Sequence, residues 1–328
     1  MRRSLIAALL LAGTLSAQLT PKQKSDNLAS FELLWRTVRD QHPDPKLNGL
    51  NWQAIHDSTR PLVENAASME EVRDLLRGMV AKLEASHYAI IPSDRYEPPP
   101  SNSAAPVIPP SPSSLEGTLV RFGNLPESRL FFESRLLPGG AGYIRFNEFL
   151  DPATIMPKFE AAVKSFSKAP GIILDLRGNP GGIGVMAMGI AGFFIDKPGQ
   201  KLGEMKMRQT TLQFVIFPRP QTYAGRLAIL VDGGSASTTE ILAGGLQDLG
   251  RARIFGTRSM GAALPSDIIR LPNGDGFQYA QASYTSVNGK VLEGNGVTPD
   301  VEVHPTRESV LADHDLVIEA ADSWISTP

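Results

Sequence analysis

Between Gly142 and Gly250 short apolar runs alternate with segments of helical spacing, and that alternation restricts the chain to a small set of folds. Gly142-Tyr-Ile-Arg-Phe reads as a strand, Pro157 to Phe166 as a helix, and Gly171-Ile-Ile-Leu-Asp-Leu as a strand buried on both faces. A helix from about Gly184 to Phe194, the strand Arg226-Leu-Ala-Ile-Leu-Val and a helix from Thr238 to Leu249, closed by Gly250, come next. Strands alternating with helices predict an α/β core. Further on, Asn273-Gly274 and Asn288-Gly289 are hairpin-turn dipeptides, so a strand-rich excursion is expected before a last helix around Leu311 to Trp324.

Ahead of the core, Phe31 to Arg39 and Trp52 to Ala66 have helical spacing, separated by the turn His42-Pro43-Asp44-Pro45. Ser68 and Glu71 are spaced as a capping box. After them Val72, Leu75, Leu76, Met79, Val80 and Leu83 keep one apolar face as far as Ala85. A small helical domain, residues 18–92, ending in Ser86-His87, is therefore predicted. Pro98 to Pro112 holds seven prolines among Ser, Asn and Ala, a composition that cannot pack a core, and residues 93–116 read as a linker to a core of residues 117–328. Within that stretch Thr118-Leu-Val-Arg-Phe-Gly-Asn-Leu-Pro reads as entry strands of the core.

Residues 1–17 have a different character. Met1-Arg2-Arg3, the apolar stretch Leu5 to Leu15, and the small residues Thr14, Ser16 and Ala17 have the layout of a secretory signal peptide. Export to the periplasm or the medium is expected, with no stable membrane insertion after cleavage, since the apolar run is well short of the roughly 20 residues that span a bilayer. Retention by an uncleaved signal is the alternative. The 32 basic and 34 acidic residues leave a formal charge of -2, which supplies no basic field for nucleic acid or anionic lipid. With no cysteine, thiolate nucleophiles, thiolate metal sites and disulfides are excluded, so nucleophilic chemistry must come from Ser, Thr or Lys. No cofactor and no metal is expected.

The strongest local signal is Asp232-Gly-Gly-Ser-Ala-Ser-Thr-Thr-Glu240, which joins a buried strand to a helix through small residues. Ser237 stands at the N-cap position, next to the free amide of Thr238 and the positive end of a helix dipole, both suited to a developing oxyanion. Taken alone, simple N-capping explains Ser237 as well. A second glycine-rich turn, Asp175-Leu-Arg-Gly-Asn-Pro-Gly-Gly182, follows another buried strand; Gly181 and Gly182 allow a substrate carbonyl close to backbone amides, although a plain strand-to-helix loop would look the same. A serine needs a base. Of five histidines, His42, His56, His304 and His314 stand in polar or turn-like contexts, whereas His87 follows an apolar helix and precedes Ala89-Ile-Ile. A structural histidine is the ordinary reading of such a residue, and a catalytic role requires the fold to bring it to Ser237.

Taken together, these segments resemble the tail-specific, C-terminal processing serine peptidases. Gly234-Ser-Ala-Ser-Thr-Thr-Glu-Ile-Leu-Ala-Gly-Gly is similar to their nucleophile segment and Leu174-Asp-Leu-Arg-Gly-Asn-Pro-Gly-Gly to their oxyanion loop. Gly256-Thr-Arg-Ser-Met-Gly resembles the next loop, and Glu293-Gly-Asn-Gly-Val-Thr-Pro-Asp300 the C-terminal signature. The resemblance implies a crotonase-like, Clp-protease-like ββα superhelical core behind a helical N-terminal domain. The bacterial processing peptidases carry an activating lysine directly after the glycine of the Gly256-to-Gly261 loop; this chain has Ala262 there, and its only lysine beyond Ser237 is Lys290. The tricorn-type branch uses instead a histidine preceded by serine, as in Ser86-His87. By that resemblance Ser237 attacks, His87 takes its proton, Ser86 orients the machinery, Glu293 supports the network, and the amides of Gly181, Gly182 and Thr238 hold the oxyanion. The stretch from His87 to Gly142 is too short for a PDZ domain, so specificity is expected to depend on the cleft. The function implied is endopeptidase action on exported or unfolded polypeptides. The alternatives are a non-catalytic carrier of hydrophobic ligands or peptides on the same fold, and a serine esterase.

Overall fold

The computed structural model describes residues 18–96, 117–120 and 128–327. The predicted signal segment and nearly all of the predicted linker lie outside the described residues. The N-terminal part comprises α1 (Pro21–Gln41), α2 (Trp52–Asn65) and α3 (Met69–Ala81), then β1 (Ala89–Ile91) and the short α4 (Ser93–Tyr96). The core begins with β2 (Thr118–Val120), β3 (Ser128–Leu130), β4 (Phe132–Leu136) and β5 (Gly142–Phe146), followed by α5 (Pro152–Ser165), β6 (Gly171–Asp175) and α6 (Gly184–Ala191). It continues through β7 (Lys201–Lys206), β8 (Thr211–Val215), β9 (Arg226–Val231), α7 (Thr238–Asp248), β10 (Arg253–Gly256), β11 (Ser266–Arg270) and β12 (Gly276–Ala280). The chain closes with β13 (Ser283–Ser286), β14 (Val301–Glu302), α8 (Arg307–Leu311) and α9 (Leu316–Ser326).

The central sheet has the order β14-β10-β9-β6-β5-β4, parallel except for β4, which pairs antiparallel with β5 at one edge. Side chains alternate across it as the two-residue period of a strand requires. Ile172, Leu174, Leu227 and Ile229 point into the large core with α5, α6 and α7, while Ile173, Ala228 and Leu230 pack against Val317, Ala321 and Ile325 of α9. Burial on both faces explains why these strands read as continuous apolar runs.

Three expectations about elements are adjusted. The helix expected from Pro157 starts at Pro152, because Asp151 caps it and Pro152 occupies the first turn, where a missing N–H is harmless; Pro157 lies inside it. The expected last helix is two: Asp313 turns to φ 56°, and Asp315 caps α9 by accepting from the amides of Val317 and Ile318. The Ser68 hydroxyl accepts from Glu71 N as expected, but the Glu71 carboxylate accepts from Ala67 N rather than from the cap residue itself.

The helices at the N-terminus do not stand apart from the core. Phe31, Leu34, Trp52, Val72 and Leu76 share one cluster with Leu271, Phe277 and Tyr279 of the β11–β12 hairpin, and β1 pairs antiparallel with β12 in the sheet β1-β12-β11. Arg73 donates to both oxygens of the fully buried Asp275, at 3.0 and 2.8 Å, and Ser93 N donates to the same carboxylate at 2.8 Å. Asp275→Ala would leave the Arg73 charge without its buried partner and is expected to cost about 3 kcal/mol in chemical denaturation.

Candidate active site

The nucleophile candidate sits on a strained corner. β9 delivers the chain at Val231, α7 begins at Thr238, and Ser237 between them has φ 56° and ψ −118°, a conformation that a non-glycine residue adopts only when its surroundings impose it. Those surroundings are polar and specific. Ser237 N donates to Ala262 O at 2.8 Å and to Glu240 Oε2 at 3.0 Å. Buried Glu240 also accepts from Ser259 Oγ at 2.5 Å, Gly261 N at 2.8 Å and Ala262 N at 3.0 Å. Burial pushes the Glu240 carboxyl above its ordinary range, and these donors work against that shift. Sequence reasoning passed over Glu240, although its place three residues beyond Ser237, at the start of a helix, is a capping-box signal.

The two glycine-rich turns are laced together beneath this corner. Asp232 Oδ1 accepts from the amides of Gly178 and Gly234 at 2.8 and 2.9 Å, Ser235 Oγ donates to Leu176 O, Ala236 N to Asn179 O, and Thr238 Oγ1 to Gly182 O at 2.7 Å. Gly181, at φ 98°, passes so close to the corner that a Cβ built on it would stand 2.8 Å from Ser237 Cβ and from Thr238 N. Its amide is already engaged, donating to the Oδ1 of buried Asn179 at 2.9 Å. The amides of Gly182 and Thr238 have no acceptor among the described residues.

His87 comes from the segment between α3 and β1 and itself has φ 61°. Ser86 Oγ lies 2.7 Å from His87 Nδ1 and 2.8 Å from Glu293 Oε2; Ser86 N donates to Glu293 Oε1 at 2.7 Å, and Ala263 N to Oε2 at 3.0 Å. The roles in this chain follow from its chemistry. Ser86 Oγ donates its single proton to Glu293 Oε2, so its lone pair is available to receive Nδ1–H of His87. In the tautomer with the proton on Nδ1, Nε2 is the nitrogen able to act as a base. Partial burial pushes the His87 pKa below its usual value, against the opposing pull of the Glu293 charge.

Both His87 and Ser237 line one cleft of about 680 Å³, together with Tyr96, Glu148, Gly182 and Gln278 among others. The structure thus brings together Ser86, His87, Glu293, Ser237, Gly181, Gly182 and Thr238; no hydrogen bond joins His87 to Ser237 in this state. The position of the absent lysine, Ala262, contacts the nucleophile corner through its backbone, accepting from Ser237 N. Among the described residues no group of three or more His, Asp or Glu is placed to hold a metal ion.

Residues 140–303, half of the chain, match the family model described as Peptidase family S41. The chain belongs to that family. Residues 25–81 of this S41 member match the C1 domain of tricorn protease. A carboxy-terminal-processing protease of Bartonella bacilliformis is 33% identical over 171 residues, which cover 50% of this chain and 39% of that relative; the S41 chain thus spans well under half of the relative's length. In three dimensions the S41 chain is similar to the photosystem II D1 C-terminal processing protease, with 20% identity and a TM-score of 0.58 over 88% of this chain and 94% of that one. It is also similar to the tricorn protease, with 15% identity and a TM-score of 0.62 over 92% of this chain and 37% of that one. At these identities the likeness is one of fold, an α/β core with a small N-terminal helical region. No helix among the described residues is long and apolar enough to cross a membrane.

Proposed function

We propose that this S41 peptidase hydrolyses peptide bonds through an acyl-enzyme on Ser237, with His87 as general base. The observation that carries this reading is the hydrogen-bonded chain from Glu293 through Ser86 to Nδ1 of His87, a residue that lines the same cleft as Ser237 and keeps Nε2 outside that chain. Ser237 Oγ adds to the scissile carbonyl as its proton passes to Nε2; the imidazolium returns that proton to the leaving amine, and water repeats the sequence on the ester. The tetrahedral oxyanion is held by the uncommitted amides of Thr238 and Gly182. Gly181 was expected among the donors, but its amide serves Asn179, and its part is to give clearance beside the serine. The missing hydrogen bond between His87 and Ser237 is one that substrate binding would close. The substrates are exported or unfolded polypeptides, in keeping with the signal-like N-terminus.

The same missing bond favours a second reading, a peptide-binding protein without turnover. Mass spectrometry after exposure to a serine-directed phosphonate separates them: an adduct on Ser237 supports the peptidase, and an unmodified protein supports the binder.

The acid limb of the pH profile offers a further check. A base whose pKa is depressed stays unprotonated to lower pH, so kcat/KM is expected to hold down through about pH 6.5, the ordinary histidine value, and to fall only below it. Glu293→Gln removes the charge that raises the His87 pKa and should move the limb to still lower pH while reducing the plateau. A limb above the ordinary value, or one displaced upward in the variant, would contradict the assignment of His87.

A further inference from the structure

The lining of the cleft that holds Ser237 comes from separate parts of the chain. One part is the chain leaving β5 and the second glycine-rich turn, with Glu148, Leu150 and Ile183; another is β11 and β12, with Asp267, Ile268 and Gln278. Each of these two parts carries one carboxylate. Glu148 is half-buried, and Ser128 Oγ donates to its Oε1. Asp267 is exposed; its Oδ1 accepts from Ile268 N at 2.8 Å and its Oδ2 from Gln281 Nε2 at 3.1 Å. All three donors are uncharged, so they aim the carboxylates without neutralising them.

Among the described residues, neither Glu148 nor Asp267 forms an ion pair, and no lysine or arginine lines the cleft. The chain as a whole is nearly balanced, with 32 basic and 34 acidic residues, so two acidic side chains and no lysine or arginine among the described lining residues are a local departure from its average. Charges of one sign lining a groove focus the field there and raise the local concentration of the opposite charge. The apolar lining suits the same guest, because the stem of a lysine or arginine can lie along Leu150, Ile183 or Ile268 while its head reaches a carboxylate.

We propose that this cleft selects polypeptides with a lysine or arginine side chain close to the bond presented to Ser237, and that Glu148 and Asp267 are the residues that set this specificity. The proposal rests on the peptidase reading above, since it names the substrate class of the same site. An acidic side chain in that place would meet like charge from Glu148 and Asp267, whereas a neutral one would gain nothing from either.

The experiment measures binding by Ser237→Ala protein, which does not depend on turnover. Fluorescent peptides of one sequence, carrying Arg, Ala or Glu at each position in turn, are titrated by anisotropy. At one or more positions the Arg peptide is expected to bind about tenfold tighter than the Ala peptide, with the Glu peptide weakest and the spread narrowing in high salt. Glu148→Gln with Asp267→Asn in the same background should bring the ratio of Arg to Ala close to one, and Asp267→Lys should favour the Glu peptide. Equal binding of the three peptides at every position, or an Arg preference unchanged in the double variant, overturns the proposal. Parallel kcat/KM measurements on protein with Ser237 intact keep the two readings apart. Absence of cleavage and of a phosphonate adduct would overturn the peptidase reading, and the order of binding would still decide the specificity.

Discussion

Ser237→Ala and His87→Ala are each expected to lower kcat by on the order of 10⁴-fold or more, and the double variant to be little worse than either single one, because nucleophile and base act as a unit. What remains in each is the contribution of oxyanion donors and substrate binding. Neither side chain is central to the core: Ser237 is positioned through its backbone amide, and half-buried His87 makes a side-chain hydrogen bond to Ser86. Stability should therefore change by about 1 kcal/mol at most. The check is turnover of a fluorogenic peptide alongside a denaturant titration. Wild-type rates in either variant would end the mechanism, and unfolding of Ser237→Ala would show that the serine is a structural cap after all.

Glu240→Ala is expected to have the second largest effect, on both activity and stability. The carboxylate gathers Ser237 N, Ser259 Oγ, Gly261 N and Ala262 N at one buried point, and removing it takes this acceptor from all four and leaves the amide of strained Ser237 with Ala262 O alone. Losing hydrogen bonds to a charged buried acceptor costs about 1.5–3 kcal/mol for each donor that finds no substitute. A net loss of roughly 4 kcal/mol is expected, together with a fall in kcat of at least about 10²-fold. Glu240→Gln keeps the shape but turns an N–H donor toward other donors, so it should fall between wild type and Ala on both measures. A Glu240→Ala protein with wild-type melting and wild-type kcat would show that the corner is held by the glycine-rich turns alone.

The pattern of apolar residues determined the α/β core because strands buried on both faces have no other composition available: Gly171–Asp175 and Arg226–Val231 carry their own signal, as does the helix that starts after Ser237. The exposed strand β4 and the division of the last helix carried no such signal, since one has no buried face to pattern and the other depends on a single backbone reversal at Asp313. The candidates Ser237, His87, Ser86 and Glu293 were legible as residue types in suggestive places and through the family resemblance. Their convergence was not, because Ser86 and Glu293 stand 207 residues apart and meet only through the tertiary fold. The same holds for the Gly181 amide, whose engagement by Asn179 is a matter of where one side chain points, and for Glu148 and Asp267, which share a cleft without sharing a motif. Local sequence thus determined which chemistry this chain could perform, since periodicity and residue type are local properties. The tertiary structure alone decided which atoms face one another, because that depends on contacts between segments far apart in the chain.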